Sequence, residues 1–203
     1  MVGRVRDELK ANGLADNTYI VFSSDNGFHM GEHRLRPGKQ TAYDTDIRVP
    51  LVVAGPGVAA GKKITQPAAN VDLSPTFQDL AGVKPSATAD GSSLVPLLHG
   101  EQVTDWRQAV LIEHHHPASK KDDPDAAPDS SGNPPSYEAI RTPDALWVEY
   151  ADGEREYYDT KNDPDELHNR ASSLSKGQQA ALHKTLTDLQ QCEGSEACAK
   201  AGR

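Results

Sequence analysis

No run in the 203 residues approaches the roughly 18 consecutive apolar positions of a helical membrane span, and the first residues lack the apolar core of a signal peptide. Positive charge is in deficit: 21 Lys and Arg stand against 30 Asp and Glu, a net charge of −9. Neutralising a phosphate backbone takes a basic face, so nucleic acid is not expected as a partner, and neither is a membrane. Aromatics are scarce at 5%, and hydrophobic residues reach 36%, which fits a soluble globular chain with long polar loops. Cysteine is almost absent. Cys192 and Cys198, six residues apart around Gly194, are spaced to close a small loop or to stay as two free thiols, and spacing alone leaves both open. No second Cys/His pair stands at zinc-finger spacing.

The charge that is present is unevenly spread. Residues 1–105 hold ten basic and twelve acidic residues, and residues 106–203 hold eleven and eighteen. Arg34, Arg36, Lys39 and Arg48 form a local basic group suited to a small anion on an otherwise acidic molecule. The opening segment reads as the back half of an amphipathic helix, with Val2, Val5 and Leu9 on one face and Gly13 at the C-terminal stop. Opening on such a helix suggests that an N-terminal portion precedes it.

Thr18 to Ser24 is a β-branched and aromatic run that reads as a buried strand ending at Asp25-Asn-Gly27. A long loop follows, then a second apolar strand over Val49–Ala54, closed by Gly55-Pro-Gly57. Helix, strand, loop, strand is the grammar of an α/β sheet covered on both faces. Asp72 to Gly82 reads as a helix capped by Asp72 or Ser74, and Ser93–His99 as a short helical turn. Gln108–His114 is a strand candidate.

Composition changes after His116. Pro117 to Ser136 contains five Pro and four Ser and almost nothing apolar, which marks a loop, a lid or a linker. Alternating runs at Tyr137–Arg141, Ala145–Tyr150 and Arg155–Tyr158, with Asp152-Gly153 as a hairpin turn, predict a small antiparallel sheet. Residues 176–191 predict a final helix with Leu182, Leu186 and Leu189 on one face. The expected division is therefore 1–105 and 106–203.

Chemistry concentrates in Ser23-Ser-Asp-Asn-Gly27. Ligands of open α/β sheets gather beyond the carboxyl ends of strands, where Asp25 and Asn26 sit. A carboxylate and an amide carbonyl are hard oxygen donors suited to Ca²⁺ or Mg²⁺. The plainer alternative is an Asx turn that merely ends the strand. Lys39, in Pro37-Gly-Lys39, can cancel an anion's charge or assist a leaving oxygen, and equally can be a solvated surface lysine. Glu113 and the histidines His114, His115 and His116 follow a predicted strand. On an extended chain they alternate sides, so at most two could share a metal; solvated loop residues are the default reading, and a sugar contact by His114 is favoured over a metal site.

In combination these pieces resemble the C-terminal portion of a sulfatase catalytic domain. The apolar strand, Ser24-Asp-Asn-Gly27, Gly31-Glu-His33, Gly38-Lys39 and Asp46-Ile-Arg-Val-Pro50 carry the core resemblance. Tyr43-Asp-Thr-Asp46, Arg141-Thr-Pro-Asp-Ala-Leu-Trp147, Tyr158-Asp-Thr-Lys-Asn-Asp-Pro-Asp165 and the closing Leu189-Gln-Gln-Cys192 resemble the N-acetylglucosamine-6-sulfatase branch.

The resemblance implies an alkaline-phosphatase-like α/β fold: the C-terminal part of the main sheet, a small antiparallel subdomain and a final helix. It implies a sulfuric ester hydrolase acting on sulfated sugars such as N-acetylglucosamine 6-sulfate. Asp25 and Asn26 match a pair of calcium ligands, and Lys39 matches the lysine that meets the sulfate ester. His29 and His33 share that loop and are candidate substrate contacts without a defined family role. The closing cysteines match a bonded pair, which implies a secreted, periplasmic or lysosomal-type protein. The family's nucleophile is a formylglycine made within C/S-x-P/A-x-R, and no Cys or Ser here sits in that motif: Cys192 precedes Glu-Gly-Ser-Glu, Cys198 precedes Ala-Lys-Ala-Gly, and Ser74-Pro-Thr lacks the Arg. The upstream calcium carboxylates are missing as well. The isolated chain is accordingly expected to be inactive. The rival expectations are a phosphate or phosphonate ester hydrolase of the same superfamily and a non-catalytic anion- or glycan-binding remnant or gene fragment.

Overall fold

The computed structural model describes residues 1–115 and 134–203. His116 and most of the Pro-rich segment expected at 117–136 lie outside the described residues. None of the described helices is long and apolar enough to cross a membrane.

The C-terminal half is organised by alternation. Strands β3 (Val110–His114), β4 (Tyr137–Arg141), β5 (Ala145–Tyr150) and β6 (Arg155–Asp159) form one antiparallel sheet in that order. Successive side chains of a strand point to opposite faces, so each strand serves two layers. Tyr137, Ala139, Leu146, Val148 and Tyr158 make one face, on which the loop residues Ala42 and Tyr43 pack. Ile140 and Trp147 make the other, with Leu186 and Leu189 from helix α5 (Lys176–Gln191) packed against them. Trp147 and Ile140 are each 1% exposed, and burying a side chain of this size contributes about 1.5–3 kcal/mol. A capping box starts α5: Ser175 Oγ accepts from the Gln178 amide, and Gln178 Oε1 accepts from the Ser175 amide. Gly153, at φ +93°, makes the expected β5–β6 turn.

Helix α6 (Ser195–Ala201) was not legible in the sequence. It is tied back to α5 by a disulfide between Cys192 and Cys198. The Gly202 carbonyl accepts from the amides of Gln108 and Ala109 at 2.7 and 2.8 Å, which docks the chain end beside the start of β3.

The N-terminal half carries helix α1 (Val2–Ala11), strands β1 (Ile20–Phe22) and β2 (Val52–Ala54), the single turn α2 (Asp44–Ile47), helix α3 (Leu73–Leu80) and the short α4 (Val95–Leu98). β1 and β2 pair antiparallel, with Val21 opposite Val53. The expectation of two buried strands is corrected here. Phe22 is 50% exposed and Val52 58%. β-Branched and aromatic composition makes a strand, but burial needs a covering layer. Among the described residues, β1 and β2 pair only with each other, and the α4 cluster of Leu94, Leu97, Leu98 and Trp106 covers only Val53.

Asp72 is the N-cap residue of α3, one of the two positions expected, but its side chain makes no cap hydrogen bond to that helix. The fully buried carboxylate accepts from the Ala69 and Ser92 amides and from Arg107, binding three segments together.

Candidate functional site

The loop between β1 and β2 is built around one buried carboxylate. Asp46 is 4% exposed and accepts from His29 Nδ1 at 2.9 Å, the Thr41 amide at 2.9 Å and Thr41 Oγ1 at 2.6 Å. Its backbone carbonyl accepts from the Gly27 amide at 2.7 Å. A Cβ at position 27 would overlap the Thr45 carbonyl, so only glycine permits this approach. His29 and Gly38 exchange backbone hydrogen bonds at 2.9 and 3.1 Å. Lys39 is therefore held between two anchored residues, Gly38 and Thr41.

From that position the Lys39 ammonium reaches back across the loop and donates to Asn26 Oδ1 at 3.2 Å. Asp25, the preceding residue, is exposed. Its carboxyl is held below the usual carboxylate range by backbone hydrogen bonds from Asn26 and its own amide and by the Ser24 hydroxyl, with Lys39's charge adding to them. All three residues line one cavity of about 950 Å³. Asp25 and Asn26 offer hard oxygens that fit a calcium ion in kind. They fall short in number, because calcium takes about six to eight oxygens. Among the described residues no group of three or more His, Cys, Asp and Glu gathers as a metal cluster.

The structure separates the three candidate histidines. His114, 9% exposed, lines the cavity beside the Tyr137 ring, with centroids 5.4 Å apart. His29 does not reach it: its ring is fully buried against Asp46, where it holds the loop closed. His33 stacks on Tyr43 with ring centroids 3.7 Å apart, away from the cavity lining, and burial lowers its pKa. Both corrections have one cause. Loop histidines expected as substrate contacts are held here against an acid and an aromatic ring.

The basic lining is also redistributed. Lys39 and Arg48 face the cavity as expected, Arg34 and Arg36 do not line it, and Lys63 and Arg141 join it. Arg141 grips Asp44 with two bonds of 2.7 and 2.9 Å. Nothing in the local sequence around Lys63 marks it, whereas Arg141 opens one of the family-like motifs.

The turn at 159–169 reaches the same loop. Glu166, 3% exposed, accepts the Asp44 amide at 2.8 Å through Oε2. Burial pushes its carboxyl up from the ordinary 4.5 to about 7; the Asp44 charge adds to this, and the Asp44 amide bond opposes it. The folded state thus binds this proton more tightly than the unfolded one. Stability contributed by Glu166 is full below about pH 4.5 and is lost as pH rises through about 7. Urea midpoints at pH 5 and pH 8 are expected to fall for the native chain and to fall less for Glu166→Gln, which keeps the acceptor and cannot ionise.

Residues 1–83 match the sulfatase family model. Human N-acetylglucosamine-6-sulfatase is 34% identical over 96% of this chain. A solved structure in complex with its substrate D-glucosamine-2-N,6-O-disulfate superposes with a TM-score of 0.81 at 32% identity, covering 94% of this chain and 37% of that one. A phosphonate monoester hydrolase from Silicibacter pomeroyi gives a TM-score of 0.74 at 29% identity, over 94% of this chain and 37% of its own. The fold is thus of the alkaline-phosphatase-like α/β class. Within that class the chain belongs to the sulfatase family and resembles the C-terminal portion of N-acetylglucosamine-6-sulfatases. It spans 39% of the length of the human relative.

Proposed function

We propose that this chain forms one wall of a sulfate-ester site that takes sulfated sugars of the N-acetylglucosamine 6-sulfate class. The observation that carries the reading is the 3.2 Å approach of Lys39 Nζ to Asn26 Oδ1 at the end of β1, beside Asp25. A sulfate monoester presents a singly charged, three-oxygen anion on a neutral sugar. Lys39 binds that anion by a charge-assisted hydrogen bond and stabilises negative charge on the ester oxygen. His114 and Arg141, on β3 and β4, face the same cavity and contact the sugar.

Asp25 and Asn26 are the residues that would hold calcium, completed by oxygens from elsewhere. Such an ion, when bound, polarises sulfate oxygens as a Lewis acid. The chain encodes no formylglycine motif, and both of its cysteines are committed to the disulfide, so it binds and orients the ester without supplying the nucleophile. That disulfide supports an exported protein, since such bonds persist in oxidising compartments.

Titration with glucosamine 6-sulfate tests the reading. Lys39→Ala is expected to weaken binding at least about ten-fold, the effect of losing one charge-assisted hydrogen bond. Unchanged affinity would remove Lys39 from the site. Tighter binding of a phosphonate monoester than of the sulfated sugar would favour the phosphonate reading, which the Silicibacter neighbour keeps in view.

A further inference from the structure

The reading above makes Lys39 the group that meets the sulfate, and the inference here rests on it. The next residue, Gln40, has φ +106°, in the left-handed region that side-chain-bearing residues rarely adopt. Such a conformation persists only where the surroundings hold it. On one side the hold is the Thr41 amide bonded to Asp46. On the other it comes from a residue 97 positions later: the Tyr137 hydroxyl donates to the Gln40 carbonyl at 3.0 Å.

Tyr137 is well placed to hold that carbonyl. It is 2% exposed, packed on Ala42, with its ring between those of His114 and Tyr150. Burial raises its pKa far above the ordinary tyrosine value, and the nearby Asp46 charge adds to this, so the hydroxyl remains a donor. Its strand belongs to the C-terminal sheet, whereas Lys39 belongs to the β1–β2 loop. One hydroxyl therefore carries the position of the sheet to the peptide that bears the lysine.

We propose that Tyr137 is a positioning residue for the anion site: by holding the Gln40 carbonyl it fixes the backbone that aims Lys39 Nζ at Asn26 and at a bound sulfate ester. It acts through Gln40 and needs no contact of its own with the anion.

Three measurements on the full chain test this. Tyr137→Phe removes only the hydroxyl and is expected to weaken glucosamine 6-sulfate binding about five-fold, the usual yield of one net hydrogen bond. It should also shift the backbone amide resonances of residues 39–41. Tyr150→Phe is the control, because it deletes a hydroxyl of the same tyrosine cluster that donates instead to Glu156. It should leave affinity and those resonances unchanged. The pair Gln40→Gly and Gln40→Val keeps the core intact. Both remove the side-chain amide, but only glycine tolerates φ +106°, so the Gly variant should bind several-fold tighter than the Val variant.

Equal weakening by Tyr137→Phe and Tyr150→Phe would reduce Tyr137 to a packing residue and overturn the proposal. Native affinity and native resonances in Tyr137→Phe would also overturn it, as would equal binding by the two Gln40 variants. If the native chain binds no sulfated sugar while Tyr137→Phe alone shifts residues 39–41, the positioning role stands and the functional reading falls.

Discussion

Incubated with glucosamine 6-sulfate, the purified chain is expected to release sulfate at least about a million-fold more slowly than a sulfatase with its nucleophile in place. Removing a covalent nucleophile costs a factor of that order, because the remaining groups stabilise a transition state that nothing initiates. Cys192 and Cys198 are bonded to each other, and no serine lies in C/S-x-P/A-x-R. Lys39 can neutralise the ester and ease its departure, but an ammonium donor does not attack sulfur. Sulfate release followed by ion chromatography, on protein from a host without sulfatases, checks this. Sustained turnover that disappears in Lys39→Ala would show a nucleophile this account does not contain.

The second large effect is on stability. Asp46→Ala is expected to cost at least about 3 kcal/mol, since three buried donors each lose an acceptor at about 1–3 kcal/mol apiece. The fully buried His29 ring loses its acceptor, and the Thr41 amide and hydroxyl lose theirs. A domain with about 5–15 kcal/mol in hand would be brought near its limit. Urea denaturation followed by circular dichroism measures the loss. Asp46→Asn keeps acceptor oxygen while dropping the charge, so it should fall between the two. A loss below about 1 kcal/mol for Asp46→Ala would mean that the loop closes without its central carboxylate.

The contrast between Asp46 and its neighbours shows where sequence reading succeeds. The strands over Tyr137–Tyr158 were legible because a two-residue alternation records which side chains meet a core. Asp25, Asn26 and Lys39 were legible as a set only through the resemblance to sulfatases, because the local signals alone fit an Asx turn and a solvated lysine equally. The meeting of Lys39 and Asn26 at 3.2 Å is a tertiary fact consistent with that reading. Asp46 stood in plain view within Asp46-Ile-Arg-Val-Pro50, yet its role depends on His29 and Thr41 folding over it.

Glu166 is harder still, since its partner, the Asp44 amide, is 122 positions away. Asp72 was legible as a helix-start position, but its side chain binds distant partners that the sequence does not show, Arg107 among them, 35 residues downstream. The burial expected for β1 and β2 failed for a related reason. Apolarity records a strand's preference for cover, and only the assembled layers determine whether cover arrives.

The central claim is that Lys39 meets the sulfate ester directly while Asp25 and Asn26 meet it through a bound cation. A crystal structure of the chain soaked with glucosamine 6-sulfate and calcium tests it most directly. The account predicts a sulfate oxygen within hydrogen-bonding distance of Lys39 Nζ and calcium on the Asp25 and Asn26 oxygens. A sugar bound elsewhere, with Lys39 turned to solvent and no cation beside Asn26, would contradict it.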